Sequence, residues 1–71
     1  MTLVPVWTLL ACGGGRAGDR HYARGEYAEA YDAYRVAVAR DSTARLEYNV
    51  GTALYRLERY EEAARAFRTA A

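Results

Sequence analysis

The side chains that most often do chemistry are scarce in this sequence: there is one Cys, one His, one Ser and no Lys among 71 residues. A serine nucleophile would have to be Ser42 with His21 as its base, but Ser42 reads as a helix cap and His21 as a helix-face residue, with nothing in the spacing to pair them. Cys12 and His21 are too few ligands for a structural zinc ion. A phosphate-binding loop of the Walker kind needs a lysine after its glycines, and Gly13-Gly14-Gly15 leads instead into Arg16-Ala17. The adjacent carboxylates Glu61 and Glu62 stand where a helix begins, a position acids favour because they oppose the helix dipole. A single cysteine excludes an intrachain disulfide. The sequence therefore assigns no catalytic residue, no cofactor and no metal, and an enzyme is not expected. Tyrosine, in contrast, is abundant, with seven copies. A large ring with a polar tip serves equally in a core and at a protein interface.

The elements that must position these rings follow from charge and periodicity. No charged residue precedes Arg16, after which Arg, Asp and Glu recur to the end. The chain divides into an apolar start closed by the glycine run, residues 1–15, and a charged, Ala- and Tyr-rich remainder. A net charge of +1 without a basic stripe gives no footprint for nucleic acid. Sliding the remainder by 33 residues, the separation of Gly18 and Gly51, brings Tyr22 onto Tyr55, Tyr27 onto Tyr60, Ala30 onto Ala63, and Tyr34 onto Phe67. Glu29, Ala33, Arg35 and Ala37 likewise fall on Glu62, Ala66, Arg68 and Ala70. Self-similarity at this period marks a stacked repeat.

Each unit reads as two helices. A short helix from about Arg16 to Arg24 is closed by Gly25, which tolerates the left-handed conformation of a C-cap. Tyr27, Ala30, Tyr31, Tyr34, Ala37 and Val38 then recur at helical spacing. Ser42 or Thr43 is expected to cap the next helix, from about Thr43 to Leu57, with Leu46, Val50, Ala53, Leu54 and Leu57 on one face. After a turn at Glu58-Arg59, Tyr60, Ala63, Ala64, Phe67 and Ala70 line the last. Glu61 and Arg65, one turn apart, stand in the favourable acid-first order. Tyr27, Tyr31, Tyr34 and Tyr60 are read as packing residues. The units are residues 16–42 and 43–71.

This pattern closely resembles the tetratricopeptide repeat. The carriers are Tyr48-Asn49-Val50-Gly51-Thr52-Ala53-Leu54-Tyr55, then Tyr60-Glu61-Glu62-Ala63, Phe67 and Ala70, with Gly18, Gly25, Tyr27, Ala30, Tyr34 and Ala37 in the first unit. The resemblance implies an all-α fold of antiparallel helical hairpins stacked as a short right-handed solenoid of about two repeats. Departures are Ser42 where the family usually has Pro, Glu58 where it has Gly, and His21 where it has Tyr or Leu. Family members usually carry three or more repeats and a polar capping helix, so this chain looks like a fragment or a piece ordered by a neighbour.

In the family the first helix of each repeat lines a groove that binds peptides. The resemblance therefore puts Asp19, Tyr22, Tyr48, Asn49, Thr52, Tyr55 and Arg56 in a partner-binding groove, the alternative being simple exposure or packing on a neighbour. The implied partners are other proteins or peptides, with homo- or hetero-oligomers possible through open repeat ends. The family's carboxylate clamp is not implied, because Asp19 and Thr52 stand where asparagines are needed.

Leu9-Leu10-Ala11-Cys12 resembles the lipobox of bacterial lipoproteins, in which the apolar segment is cleaved before a cysteine that takes a diacylglycerol. Cys12 would then be the lipidated residue, Gly13-Gly14-Gly15 a flexible tether, and the bacterial cell envelope the location. The basic residues that normally open such a signal are missing. The alternative is an apolar segment packed on the first hairpin, with Cys12 an inert small hydrophobe, in an unprocessed cytoplasmic protein. The run Tyr48 to Tyr55 is also similar to repeat proteins of bacterial aerotolerance operons and, less so, to outer-membrane assembly lipoproteins. Together these imply a lipid-tethered interaction scaffold; the other reading is a small structural subunit that packs its hairpins into a larger complex.

Overall fold

The computed structural model describes residues 15–71; the lipobox-like segment and Cys12 lie outside the described residues. Four helices follow one another: α1 (Ala17–Ala23), α2 (Tyr27–Arg40), α3 (Ala44–Arg56) and α4 (Tyr60–Ala70). There is no strand among the described residues. Each helix packs on the next in sequence.

The turns are built by the same device. After α1, the Gly25 N–H donates to the Tyr22 carbonyl (3.0 Å) and the Glu26 N–H to the His21 carbonyl (2.9 Å). After α3, the Glu58 N–H donates to Tyr55 (3.0 Å) and the Arg59 N–H to Leu54 (2.9 Å). These are the paired bonds of a Schellman C-cap, which satisfy the last free carbonyls of a helix. The motif needs a positive φ at its central residue, found at Gly25 (76°) and at Glu58 (62°). Of the two expected caps between the units, Ser42 and Thr43, the cap is Thr43, whose Oγ1 accepts from the Leu46 N–H at 3.1 Å. Ser42 instead donates from its hydroxyl to Glu47 (3.3 Å).

Ring contacts fix the direction of the hairpins. Tyr22 meets Tyr27 edge to face at 5.1 Å beside the first turn, and farther from that turn a Cβ on Gly18 would fall on the Tyr34 ring. Positions count backward along α1 as they count forward along α2, so the pair is antiparallel. The second hairpin repeats both contacts 33 residues later: Tyr55 meets Tyr60 at 5.2 Å, and a Cβ on Gly51 would stand 2.6 Å from Phe67. The missing side chains at Gly18 and Gly51 are what let an aromatic ring lie directly on the facing backbone.

One core joins the units. It holds Ala30, Tyr34 and Ala37 from α2, Leu46, Val50, Ala53 and Leu54 from α3, and Ala63 and Ala66 from α4. The alanines keep the helices close, and the larger residues fill the remaining space. Two expectations are corrected. Tyr60 is 53% exposed and packs by its edge on Tyr55 instead of entering the core. The ion pair of α4 joins Glu62 to Arg59 (2.6 Å) in place of Glu61 to Arg65.

Candidate protein-binding surface

The seven residues expected to face a partner come together on α1 and α3. Asp19, Tyr22, Asn49 and Thr52, with Tyr34 behind them, line a cleft of about 180 Å³ between the two helices. Tyr22, Thr52, Tyr48, Tyr55 and Arg56, with Phe67, line a second cleft of about 400 Å³. Tyr22 and Thr52 belong to both, so the clefts form one continuous surface. α1 and α3 are the first helices of their units, so one turn of each contributes the same positions: Tyr22 corresponds to Tyr55, and Asp19 to Thr52.

Several of these side chains are already engaged. The Tyr34 hydroxyl donates to Asp19 at 2.5 Å. Burial, then this bond to a carboxylate, pushes the Tyr34 phenol above its ordinary range. Thr52 donates its hydroxyl to the Tyr48 carbonyl (3.0 Å) in its own helix. Arg56 crosses between the units: its Nε donates to the Tyr22 hydroxyl at 3.0 Å. Its guanidinium carbon lies 5.9 Å from the Tyr22 ring centre and 5.7 Å from that of Tyr27. The bond to Tyr22 is the main reason its pKa is raised. The half-buried Asn49 amide makes no hydrogen bond within the protein among the described residues. Tyr48 and Tyr55 are 58% and 57% exposed. Two open rings flanking an amide with unused donors and an acceptor can take an extended peptide, the rings giving area and Asn49 pairing with backbone.

His21, read as a helix-flank residue, sits half-buried with Nδ1 2.7 Å from a Glu26 carboxylate oxygen, where it braces the first turn. Among the described residues no group of three or more His, Cys, Asp or Glu could hold a metal ion. No described helix is long and apolar enough to cross a membrane.

A further opening of about 710 Å³, lined by Ala44, Arg45, Tyr48, Phe67, Ala70 and Ala71, lies at the open end of the second unit; open repeat ends are expected from the sequence, but of this lining only Tyr48 is among the expected partner-facing residues. Phe67 was read only as a packing residue. The available signal was the repeat itself: Tyr34, its counterpart, shares a buried cluster with Leu46 and Val50 of the following helix, and Phe67 has no following helix against it in the described residues. Comparisons with protein-family models, curated proteins and solved structures find no match to this chain.

Proposed function

We propose that this chain is a protein–protein interaction module of the tetratricopeptide type, two right-handed repeats whose first helices hold an extended peptide of a partner protein. The observation that supports this reading is the convergence of Asp19, Tyr22, Tyr48, Asn49, Thr52, Tyr55 and Arg56 on one continuous surface. The test is peptide selection against the 71-residue chain, followed by amide chemical-shift mapping. Selected peptides should shift Asn49 and Thr52, and Asn49→Arg should abolish their binding with helicity retained. Shifts confined to the outer faces of α2 and α4, or binding unchanged by Asn49→Arg, would overturn it.

The same proposal carries a lipid anchor at Cys12 and a place in the bacterial cell envelope, supported by Leu9-Leu10-Ala11-Cys12. Intact mass decides that part: a species beginning at Cys12 with added lipid supports it, and an unprocessed Met1 species in a bacterial host sinks it. A second reading, a structural subunit that packs its hairpins into a larger complex, is favoured by the apolar opening at Phe67 and Ala70.

A further inference from the structure

The internal repeat records how one of its two aromatic faces is covered. On the first unit, Tyr34 and Ala37 lie in one buried cluster with Leu46 and Val50 of α3. At the far end of the same helix, Arg56 sits over the Tyr22 and Tyr27 rings and donates to the Tyr22 hydroxyl. One amphipathic helix thus supplies an aliphatic stripe to the Tyr34 surface and an arginine to a tyrosine pair.

The second unit presents that surface again. Phe67 and Ala70 stand for Tyr34 and Ala37, and both line the large opening. Tyr55 and Tyr60 stand for Tyr22 and Tyr27 in nearly the same ring geometry, 5.2 Å and 64° against 5.1 Å and 65°. Both rings are more than half exposed. One position differs. Leu46 packs where the first unit has Gly15, since a Cβ there would stand 2.7 Å from its Cδ2. The counterpart of Gly15 is Tyr48, whose ring lies 5.3 Å from that of Phe67 and lines the same opening.

We propose that the Phe67–Ala70 face docks an amphipathic helix of a partner protein, seated as α3 is seated on the first unit, and that Tyr55 and Tyr60 receive an arginine from that helix. The occupant carries a small residue at the place of Leu46, because Tyr48 lines the opening where a leucine would need room. It carries an aliphatic residue at the place of Val50 and its arginine at the place of Arg56. Continuity with the interface between the two units argues for this chemistry. A second copy of the chain docked head to tail does not meet it: α1 offers the exposed Arg20 where α3 offers the buried Ala53, and His21 where α3 offers Leu54. The two surfaces share Tyr48 and Tyr55, but Asn49 does not line this opening, so Asn49→Arg separates a failure of the peptide groove from a failure of this docking face.

The test uses a fluorescent peptide of residues 42–57 bearing Leu46→Ala, titrated with the 71-residue chain and read by anisotropy. Saturable binding is expected, weaker for the peptide that keeps Leu46. Arg56→Gln in the peptide should weaken binding by about two- to fivefold, the range for an exposed cation on aromatic rings. Tyr55→Ala in the chain should do the same, and combining the two should add nothing further. Ala70→Arg, at a half-exposed position, should remove binding, whereas Asn49→Arg should leave it. No saturation at millimolar peptide, or binding indifferent to Ala70→Arg, overturns the proposal. So does a chain that self-associates through this face and excludes the peptide.

Discussion

The two hairpins are built on one plan, and they differ in what holds each contact in place. In the first, Tyr34 is 3% exposed, covered by α3 and tied by its hydroxyl to Asp19. In the second, the equivalent ring is Phe67, which has no hydroxyl, has Thr52 at the position of Asp19, and is only partly buried against the core. The second hairpin compensates with Tyr48, which lies on Phe67 where the first hairpin has only Gly15. The same ring-on-glycine contact is thus clamped from outside in one unit and loosely lidded by its own side chain in the other. In a stacked repeat, stability belongs to the interfaces as much as to the units.

The largest difference should appear on adding a methyl group to each glycine. Alanine at position 18 drives a Cβ into a ring that cannot move, since core overpacking costs about 1–3 kcal/mol and the gain in helix propensity returns at most about 1. We expect Gly18→Ala to destabilise by about 1–2 kcal/mol, the upper half of that balance, because the added Cβ meets three ring atoms of Tyr34. At Gly51 the obstructing ring is Phe67, which can swing toward the open face, so Gly51→Ala should cost less than about 1 kcal/mol. Urea unfolding midpoints give both values. Equal losses would mean that Phe67 is as tightly held as Tyr34.

Next come the turns. Gly25 and Glu58 adopt the same left-handed conformation, which an L-residue with a side chain adopts at a cost of about 1–2 kcal/mol. Gly25 has open space around the place of a Cβ, so Gly25→Ala should cost about 1 kcal/mol from backbone strain alone. Glu58→Gly should stabilise by about 0.5–1 kcal/mol, the relief of strain being partly offset by the added freedom of the unfolded chain. Thermal midpoints that move the same way for both substitutions would contradict the shared turn geometry.

Much of this was legible because the informative residues have only one use. The 33-residue shift exposed the repeat, Gly25 the first turn, and Ser42-Thr43 the cap of α3, which the structure assigns to Thr43. Glu58 stood out as a substitution for Gly, and its positive φ is the physical consequence. The repeat also places Asp19, Tyr22, Tyr48, Asn49, Thr52, Tyr55 and Arg56 on the first helices of their units, and they line two adjoining clefts. What could not be read was which partner each long side chain takes. Arg56 reaches the other hairpin to meet Tyr22, 34 residues away in sequence, and Glu62 pairs with the turn residue Arg59 and not with the helical spacing of Glu61 and Arg65. Exposure was equally hidden: Tyr27 and Tyr60 occupy the same register, but only the first has Arg56 over its face.

The buried phenol offers a smaller effect with a distinctive pH signature. Tyr34→Phe removes the bond to Asp19 and should cost about 1 kcal/mol at neutral pH. The cost stays small because Asp19 is exposed and can turn to water, and because Phe67 already fills the equivalent place in the second hairpin. The folded phenol titrates above its ordinary value of 10.0. Below that pH both states keep the proton and stability is unaffected by it. Above it the unfolded chain ionises first, so stability falls as the pH rises toward the raised folded value. Tyr34→Phe should flatten this part of the decline, measured as urea midpoints on either side of about pH 10. Phe67→Tyr should add no matching decline, because its ring is less buried than that of Tyr34 and has Thr52 where an acid would be needed.

The smallest effect concerns Arg59, which has no counterpart in the first hairpin, where Glu26 stands. Arg59 donates from Nε and Nη2 to Glu62 at 2.9 and 2.6 Å, and its guanidinium carbon lies 5.0 Å from the Tyr31 ring centre in the other unit. The hydrogen bonds to Arg59 hold the Glu62 carboxyl below its ordinary value of 4.5. Its contribution is therefore present above that pH and fades as the pH falls through the lowered folded value. The pair is exposed, so salt should screen it, and the whole effect should be the least of those considered. Two substitutions separate its parts. Glu62→Gln should remove the acid-range dependence and leave the guanidinium over Tyr31. Arg59→Ala should lose both, and its excess over Glu62→Gln should persist in high salt, because a cation held against a ring is less hydrated than one held by water. If the two substitutions match at every salt concentration, the contact with Tyr31 contributes nothing to joining the hairpins, and Arg56 with the shared core carries more of their union.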